Sequence, residues 1–175
     1  MQRVHIIGIG NPSMEDLSIA IHKKNNNIVS GSDTDFSEST VLRLKKHNLL
    51  PDKPGWFPEN IDKRINAVIT GIDVTADNPE LTKAKELGLK VYSYPEYLYT
   101  QTRSKTRIVV SGSYGKSTIA AMILHVLKKQ RIDADYLIGA SFKGFEQRVK
   151  LTYDARVAVF EGNESLTSPI DQQPK

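Results

Sequence analysis

Cysteine is absent from the 175 residues, which excludes disulfides and thiolate metal sites and suits a reducing compartment. Long apolar runs are missing too. No stretch approaches the ~20 apolar residues of a membrane-spanning helix. The run from Val4 to Ile9 is too short for a secretory leader with its cleavage site. A soluble, cytoplasmic protein with no membrane partner is expected. An excess of one charge is also lacking. The 24 basic and 20 acidic residues leave only +4, and the lysines fall in scattered pairs such as Lys23-Lys24, Lys45-Lys46 and Lys128-Lys129. Nucleic-acid surfaces concentrate charge on one stripe and interleave aromatics, so no nucleic-acid partner is expected. Internal repeats and low-complexity tracts are absent.

What is present suffices for a core. Hydrophobic residues at 39% and charged residues at 25% favour packed structure over disorder. The length suits one large domain or two small ones of about 100 residues or fewer.

Apolar runs alternate with helical patterns along the chain. Val4–Ile9, Ile28–Ser30, Ala67–Thr70 and Leu89–Tyr92 read as strands, the first ending in glycines and the second stopped by Gly31-Ser32-Asp33. Between them, helical spacing runs from Ser13, a candidate cap, to Lys24. A second helix starts at Ser37 or Ser39 and reaches about His47, with Val41, Leu42 and Leu44 inward. A third spans Pro79 to Leu87, capped by Asn78 and ended by Gly88. Pro51 to Pro58 is irregular, with Trp56 and Phe57 pinning a loop. A short helix at 95–100 leads to a polar linker at 101–105. A second unit then opens with a strand at 107–111. Its helix runs from Lys116 to about Lys129, with Ile119, Met122, Ile123, Val126 and Leu127 as the apolar face. Two further strands follow, at 135–138 and 156–160. This alternation predicts an α/β fold of parallel sheets.

Three motifs carry chemistry. Gly112-Ser113-Tyr114-Gly115-Lys116-Ser117-Thr118 lies between a strand and an amphipathic helix. Such a turn aims backbone N–H groups and a helix N-terminus at phosphate oxygens. Lys116 would reach the β- and γ-phosphates, and the Ser117 hydroxyl could ligate magnesium. The loop is shorter than the general phosphate-loop pattern, which needs a glycine where Val110 stands. The alternative is a plain strand-to-helix turn.

Gly8-Ile9-Gly10 follows the first strand and Asp33 ends the second, as in dinucleotide sites where an acid contacts a ribose. The third glycine of that fingerprint is missing near Ser13, so a structural turn and a ligand site both stay open. Glu161-Gly162-Asn163-Glu164 follows an apolar strand, where a magnesium ligand belongs in a phosphate-loop unit; a solvated acidic turn is the other reading. His5 and His125 read as packed residues. His22 and His47 sit near helix ends, where a partly charged imidazole complements the dipole. No Ser/His/Asp constellation is legible.

The order of these pieces, with Asp77-Asn78-Pro79-Glu80 between them, resembles the N-terminal part of a Mur ligase. It is nearest to the branch of UDP-N-acetylmuramate–alanine ligases and murein peptide ligases. Ser168-Pro169-Ile170-Asp171 is similar to the peptide-recycling members. The resemblance implies ATP-dependent joining of an amino acid or peptide to the lactyl carboxylate of UDP-N-acetylmuramate, through an acyl phosphate. It implies a Rossmann-like UDP-sugar-binding domain over 1–102, with Gly8, Gly10, Ser32 and Asp33 at the uridine diphosphate. The start of a phosphate-loop ATPase domain would occupy 103–175. There Gly112, Ser113, Tyr114, Gly115, Lys116, Ser117 and Thr118 would hold ATP, with Lys116 as the catalytic group and Ser117 and Glu161 on Mg2+. The implied partners are UDP-N-acetylmuramate, or its peptide derivative, and ATP.

The chain departs from the family at Asn11-Pro12-Ser13, where glycine is usual, at Tyr114 for a usual histidine, and at Asn163 for an acid. Family enzymes continue well past the point matching Lys175. The expectation is a chain unable to complete ligation alone, with self-association or disorder near its C-terminus because a shortened sheet leaves apolar edges. Other readings are a non-catalytic binding protein descended from such a ligase, a small phosphate-loop kinase, and a nicotinamide-dependent oxidoreductase.

Overall fold

The computed structural model describes residues 1–24, 27–145 and 147–162. Asn163, Glu164 and the tail with Ser168-Pro169-Ile170-Asp171 lie outside the described residues. Among the described residues the chain divides into two compact units, one over 1–97 and one over 98–162, each with a four-stranded sheet.

In the first unit, β1 (Arg3–Ile7), α1 (Pro12–Lys23), β2 (Ile28–Ser32), α2 (Glu38–Lys46), β3 (Ala67–Thr70), α3 (Pro79–Glu86) and β4 (Val91–Ser93) follow in order. Every strand pair is parallel, and the order is β2-β1-β3-β4. β1 and β3 sit centrally and are covered on both faces, which is why they read as unbroken apolar runs. Ile7 and Val68 pack with Ile61, Ile65, Leu81 and Ala84, and Trp56 closes on this cluster. The chain runs from β4 directly into α4 (Tyr94–Gln101).

Local signals account for most helix ends. Ser37 caps α2, the Asn78 side chain accepts from the Glu80 and Leu81 amides, and Gly88 leaves α3 at φ +66. Two expectations change. Asn11, not Ser13, caps α1, and this puts Pro12 in the first turn, where its missing N–H costs no hydrogen bond. In α2 only Leu44 is buried among the expected residues; Leu42 faces solvent because the helix, which packs on α1, turns only a narrow stripe inward.

The second unit holds β5 (Thr106–Val110), α5 (Lys116–Lys129), β6 (Ala134–Leu137), β7 (Val149–Lys150) and β8 (Val157–Glu161). Its order is β5-β8-β6-β7. β8 lies parallel between β5 and β6, and the two-residue β7 is antiparallel on the β6 edge. Such a short strand carries no period, so the sequence gives no sign of it. α5 turns Ala120 and Leu124 onto the core of Val110, Tyr136, Ile138 and Val159. The expected apolar face is therefore split: Ile123 and Leu127 flank that core, while Ile119, Val126 and Met122, the last 63% exposed, point outward. His125, expected to be packed, is also exposed. Among the described residues no helix is long and apolar enough to cross a membrane.

A buried ion pair fastens the entry to this unit. Lys105 Nζ donates to Asp135 Oδ2 at 2.6 Å and to the Thr152 carbonyl at 2.8 Å. The other Asp135 oxygen accepts from the Thr152 amide and hydroxyl, both at 2.7 Å. Both ionic side chains are almost fully buried. Removing one partner of such a pair strands the other charge and costs about 3–5 kcal/mol. Asp135→Ala is therefore expected to destabilise the second unit by about that amount. Urea unfolding with amide exchange followed at β6 and β8 checks it; unchanged exchange there would show that the pair does not hold the unit.

Candidate functional site

In the first unit the strand order reverses between β1 and β3. A crevice outside the carboxyl ends of the strands at such a reversal is where α/β sheets receive ligands. Gly8, Gly10 and Gly71 meet there. Gly8 turns the chain at φ +86, with Val74 only 3.1 Å from where a Cβ would lie. A Cβ on Gly10 would collide with the Asp35 carbonyl oxygen and sit 2.8 Å from Asp33 Oδ2. Gly8 is thus required by its left-handed φ and Gly10 by the close approach of the Asp35 backbone.

The loop's amides turn inward. Gly8 N and Ile9 N donate to the Ser32 carbonyl at 2.9 and 3.1 Å, and Gly10 N donates to Asp33 Oδ2 at 2.9 Å. Asp33 Oδ1 accepts from Thr34 N at 2.7 Å. A carboxylate has about four acceptor positions, so Asp33, half-buried at the rim, keeps capacity for a ligand hydroxyl. Ser32 is placed differently from the expectation. Its side chain is buried and its hydroxyl donates to Glu80, so it shapes the loop from within. Asn11, which sequence reasoning passed over, joins two loops of the rim: Oδ1 caps α1 at Ser13 N and Nδ2 donates to Asp73 Oδ2 at 2.8 Å.

Behind this crevice lies a buried carboxylate. Glu80, in the first turn of α3, is 0% exposed. It accepts from His5 Nε2 at 3.2 Å, from the Ser32 hydroxyl, and from the Phe57 amide at 2.7 Å. Burial alone would push its pKa up. The hydrogen bonds and charge offered by His5, with those of Ser32 and Phe57, outweigh burial and hold the carboxyl below its usual range. His5 Nδ1 lies 2.9 Å from Ser30 Oγ. His47, expected to be partly charged, is shifted the other way: burial and the cations Lys23 and Lys46 lower its pKa.

In the second unit, β5, β8 and β6 deliver their carboxyl ends to one edge because all three run parallel. The glycine loop follows β5. Gly112 and Gly115 take φ +146 and +76, which a side chain would resist. Gly115 caps α5 without a side-chain hydrogen bond, whereas α1 is capped by Asn11. The α5 end is thus the one whose first amides face outward for an anion. Lys116 Nζ reaches back across the loop to the Gly112 carbonyl at 2.6 Å. Ser113 and Thr118 are exposed, and Tyr114 stands 95% exposed at the tip.

Glu161 ends β8 beside this loop. Its Oε1 accepts from Gly139 N at 2.7 Å. A Cβ on Gly139 would lie 2.8 Å from Glu161 Oε2 and 3.5 Å from Ser117 Oγ, so these two oxygens approach one point. Ser117 and Glu161, expected as metal ligands, are brought together, and Gly139 keeps the space between them open. Its signal was a lone glycine directly after an apolar strand. Among the described residues no three carboxylate or imidazole side chains converge as a metal cluster. Two oxygen donors still fit magnesium, which binds through one or two protein oxygens and keeps its waters.

Comparison with known proteins gives a consistent picture. The family described as Mur ligase family, catalytic domain, matches residues 3–106. The UDP-N-acetylmuramate–L-alanine ligase of Caldicellulosiruptor saccharolyticus is 39% identical over 145 residues, covering 82% of this chain and 31% of that protein. That of Dictyoglomus turgidum is 32% identical over 173 residues, covering 99% of this chain and 36% of its own length. The chain thus spans about a third of the length of the curated relatives it matches. The crystal structure of the UDP-N-acetylmuramate–alanine ligase of Thermotoga maritima superposes with a TM-score of 0.75 at 28% identity, over 94% of this chain and 38% of that one. A murein peptide ligase from Psychrobacter arcticus shares the fold, with a TM-score of 0.82 at 21% identity over 99% of this chain and 40% of that one.

The Glu80 environment sets an acid limit on the first unit. A carboxyl whose pKa is lowered by folding adds stability above its unfolded pKa. That stability is lost as the pH falls through the folded value. Urea midpoints read from Trp56 emission are expected to fall on acidification below the usual glutamate range. Glu80→Gln should remove part of that fall while lowering the midpoint at pH 7. Parallel pH profiles for the two proteins would contradict this.

Proposed function

Because the chain belongs to the Mur ligase family, we propose that it forms the N-terminal portion of an ATP-dependent ligase acting on UDP-N-acetylmuramate in peptidoglycan precursor synthesis or recycling, in the cytoplasm. The observation that carries the reading is the pairing of two glycine turns, each at the carboxyl ends of parallel strands and each opening a helix. One turn suits a nucleotide sugar and the other a nucleoside triphosphate.

In this reading residues 1–102 bind the UDP-sugar. Gly8 and Gly10 let the pyrophosphate approach the backbone, and Asp33, fixed by the Gly10 amide, presents its remaining acceptor positions to the ribose or base. Ser32 acts from behind the loop. Residues 103–175 begin the ATPase domain. Gly112, Ser113, Gly115 and the first amides of α5 receive phosphate oxygens, while Tyr114 and Thr118 border the loop. Lys116 exchanges the Gly112 carbonyl for a phosphate oxygen and offsets its charge. Ser117 and Glu161 would hold magnesium, which supplies further neutralisation of phosphate charge when bound. The chain's own part in an acyl-phosphate reaction is thus to bind two anionic substrates and to damp their repulsion.

Calorimetric titration with UDP-N-acetylmuramate, UDP and ATP with magnesium tests this. UDP compounds should bind, and Asp33→Ala should weaken them about tenfold or more, as expected for losing a charged hydrogen bond. Lys116→Ala should abolish measurable ATP binding without touching UDP. Gly139→Ala, whose methyl would enter the space between Glu161 and Ser117, should leave ATP binding but remove its enhancement by magnesium. Failure of both UDP compounds to bind at millimolar concentration would sink the reading of the first unit.

A further inference from the structure

Within the Asp77-Asn78-Pro79-Glu80 stretch, the Glu80 side chain is wholly buried and so lies out of reach of a ligand. Its carboxylate nevertheless gathers donors from three separate places: β1 through His5, the end of β2 through Ser32, and the irregular segment after Gly55 through Phe57. Asn78 holds the Glu80 amide at 2.9 Å, so the carboxylate is itself fixed on a capped helix.

Both Ser32 and Phe57 adjoin the anchors of the glycine loop. The Ser32 carbonyl accepts from Gly8 N and Ile9 N, which sets the loop's first turn. Asp33, the next residue, holds Gly10 N through its carboxylate. The Asp33 carbonyl accepts from Gly55 N at 2.7 Å, which ties the segment before Phe57 to the same point. One buried carboxylate therefore fixes β2 and the 55–57 segment, and these two hold Asp33 between them.

We propose that Glu80 is a positioning residue for the glycine-loop ligand site: through Ser32 and Phe57 it sets where Asp33 and Gly10 stand, and so how tightly a nucleoside diphosphate binds there. The site's ligand class rests on the function proposed above; the positioning itself does not. Glu80→Gln keeps the side chain's shape but removes the charge that three donors converge on. Ser32→Ala removes one buried hydroxyl that never meets the ligand. Glu86→Gln, exposed at the far end of α3, is the control.

The experiment pairs UDP titration with amide hydrogen exchange on the full chain at pH 7. Glu80→Gln and Ser32→Ala are expected to fold, to bind UDP about tenfold more weakly, and to lose about tenfold more protection at Gly10 and Gly55 than at the β1 and β3 amides, whose exchange follows global stability. Glu86→Gln should match the parent in every readout. Parental exchange at Gly10 and Gly55 in Glu80→Gln would overturn the proposal, and so would a loss of protection there no greater than that across β1 and β3, which would mark a general stabiliser. If Glu80→Gln does not fold, Ser32→Ala decides on the same amides. If the parent chain binds no UDP, the ligand reading fails and exchange at Gly10 and Gly55 still decides the positioning.

Discussion

Parallel pairing is the constraint on which the rest of each unit depends. Parallel strands send all their carboxyl ends to one edge, and the connections must return over a face of the sheet. In the first unit this brings Gly8, Asp33 and Gly71 to one crevice from distant stretches of sequence. In the second it brings the glycine loop, Gly139 and Glu161 to one edge from β5, β6 and β8. Neither arrangement needs long-range steering of side chains. The hydrophobic register of buried strands fixes it, because a slip would move apolar residues off the core face.

The two glycine turns differ in how they treat their own backbone. The first is self-satisfied: its amides bond Ser32 and Asp33, and Asn11 caps the helix that follows. It offers a shaped surface and a partly engaged carboxylate. The second leaves its helix uncapped by any side chain and places a lysine across the loop. It offers donors and positive charge. Under the function proposed above, the first would present Asp33 to a ribose or base and the second its donors to a triphosphate.

Buried charge secures both units. Asp135 with Lys105 and Glu80 with His5 each unite elements distant in sequence. Such groups are costly to bury and contribute only when every donor and acceptor is matched. Each carboxylate accepts three hydrogen bonds, Glu80 from three residues and Asp135 from two. A carboxylate held by three donors fixes direction as well as distance, which apolar contacts do not.

The alternation of strands and helices, the caps at Ser37 and Asn78 and the glycine turns were legible in the sequence, because short-range periodicity and capping chemistry determine them, whereas the strand orders were not. Its motif order also pointed to the family. The inward face of α5 was misread, since helical spacing marks an apolar stripe but not which part of it a sheet covers. The family resemblance implied that Ser32 faces a ligand; in the structure its hydroxyl turns inward to Glu80 instead. Glu80 entered the sequence reading only as the end of the Asp77-Asn78-Pro79-Glu80 motif. Only the tertiary structure decided that its carboxylate would meet His5, Ser32 and Phe57, and that Gly139 would hold Ser117 and Glu161 around one point. Those encounters join residues far apart along the chain, and no local pattern encodes them.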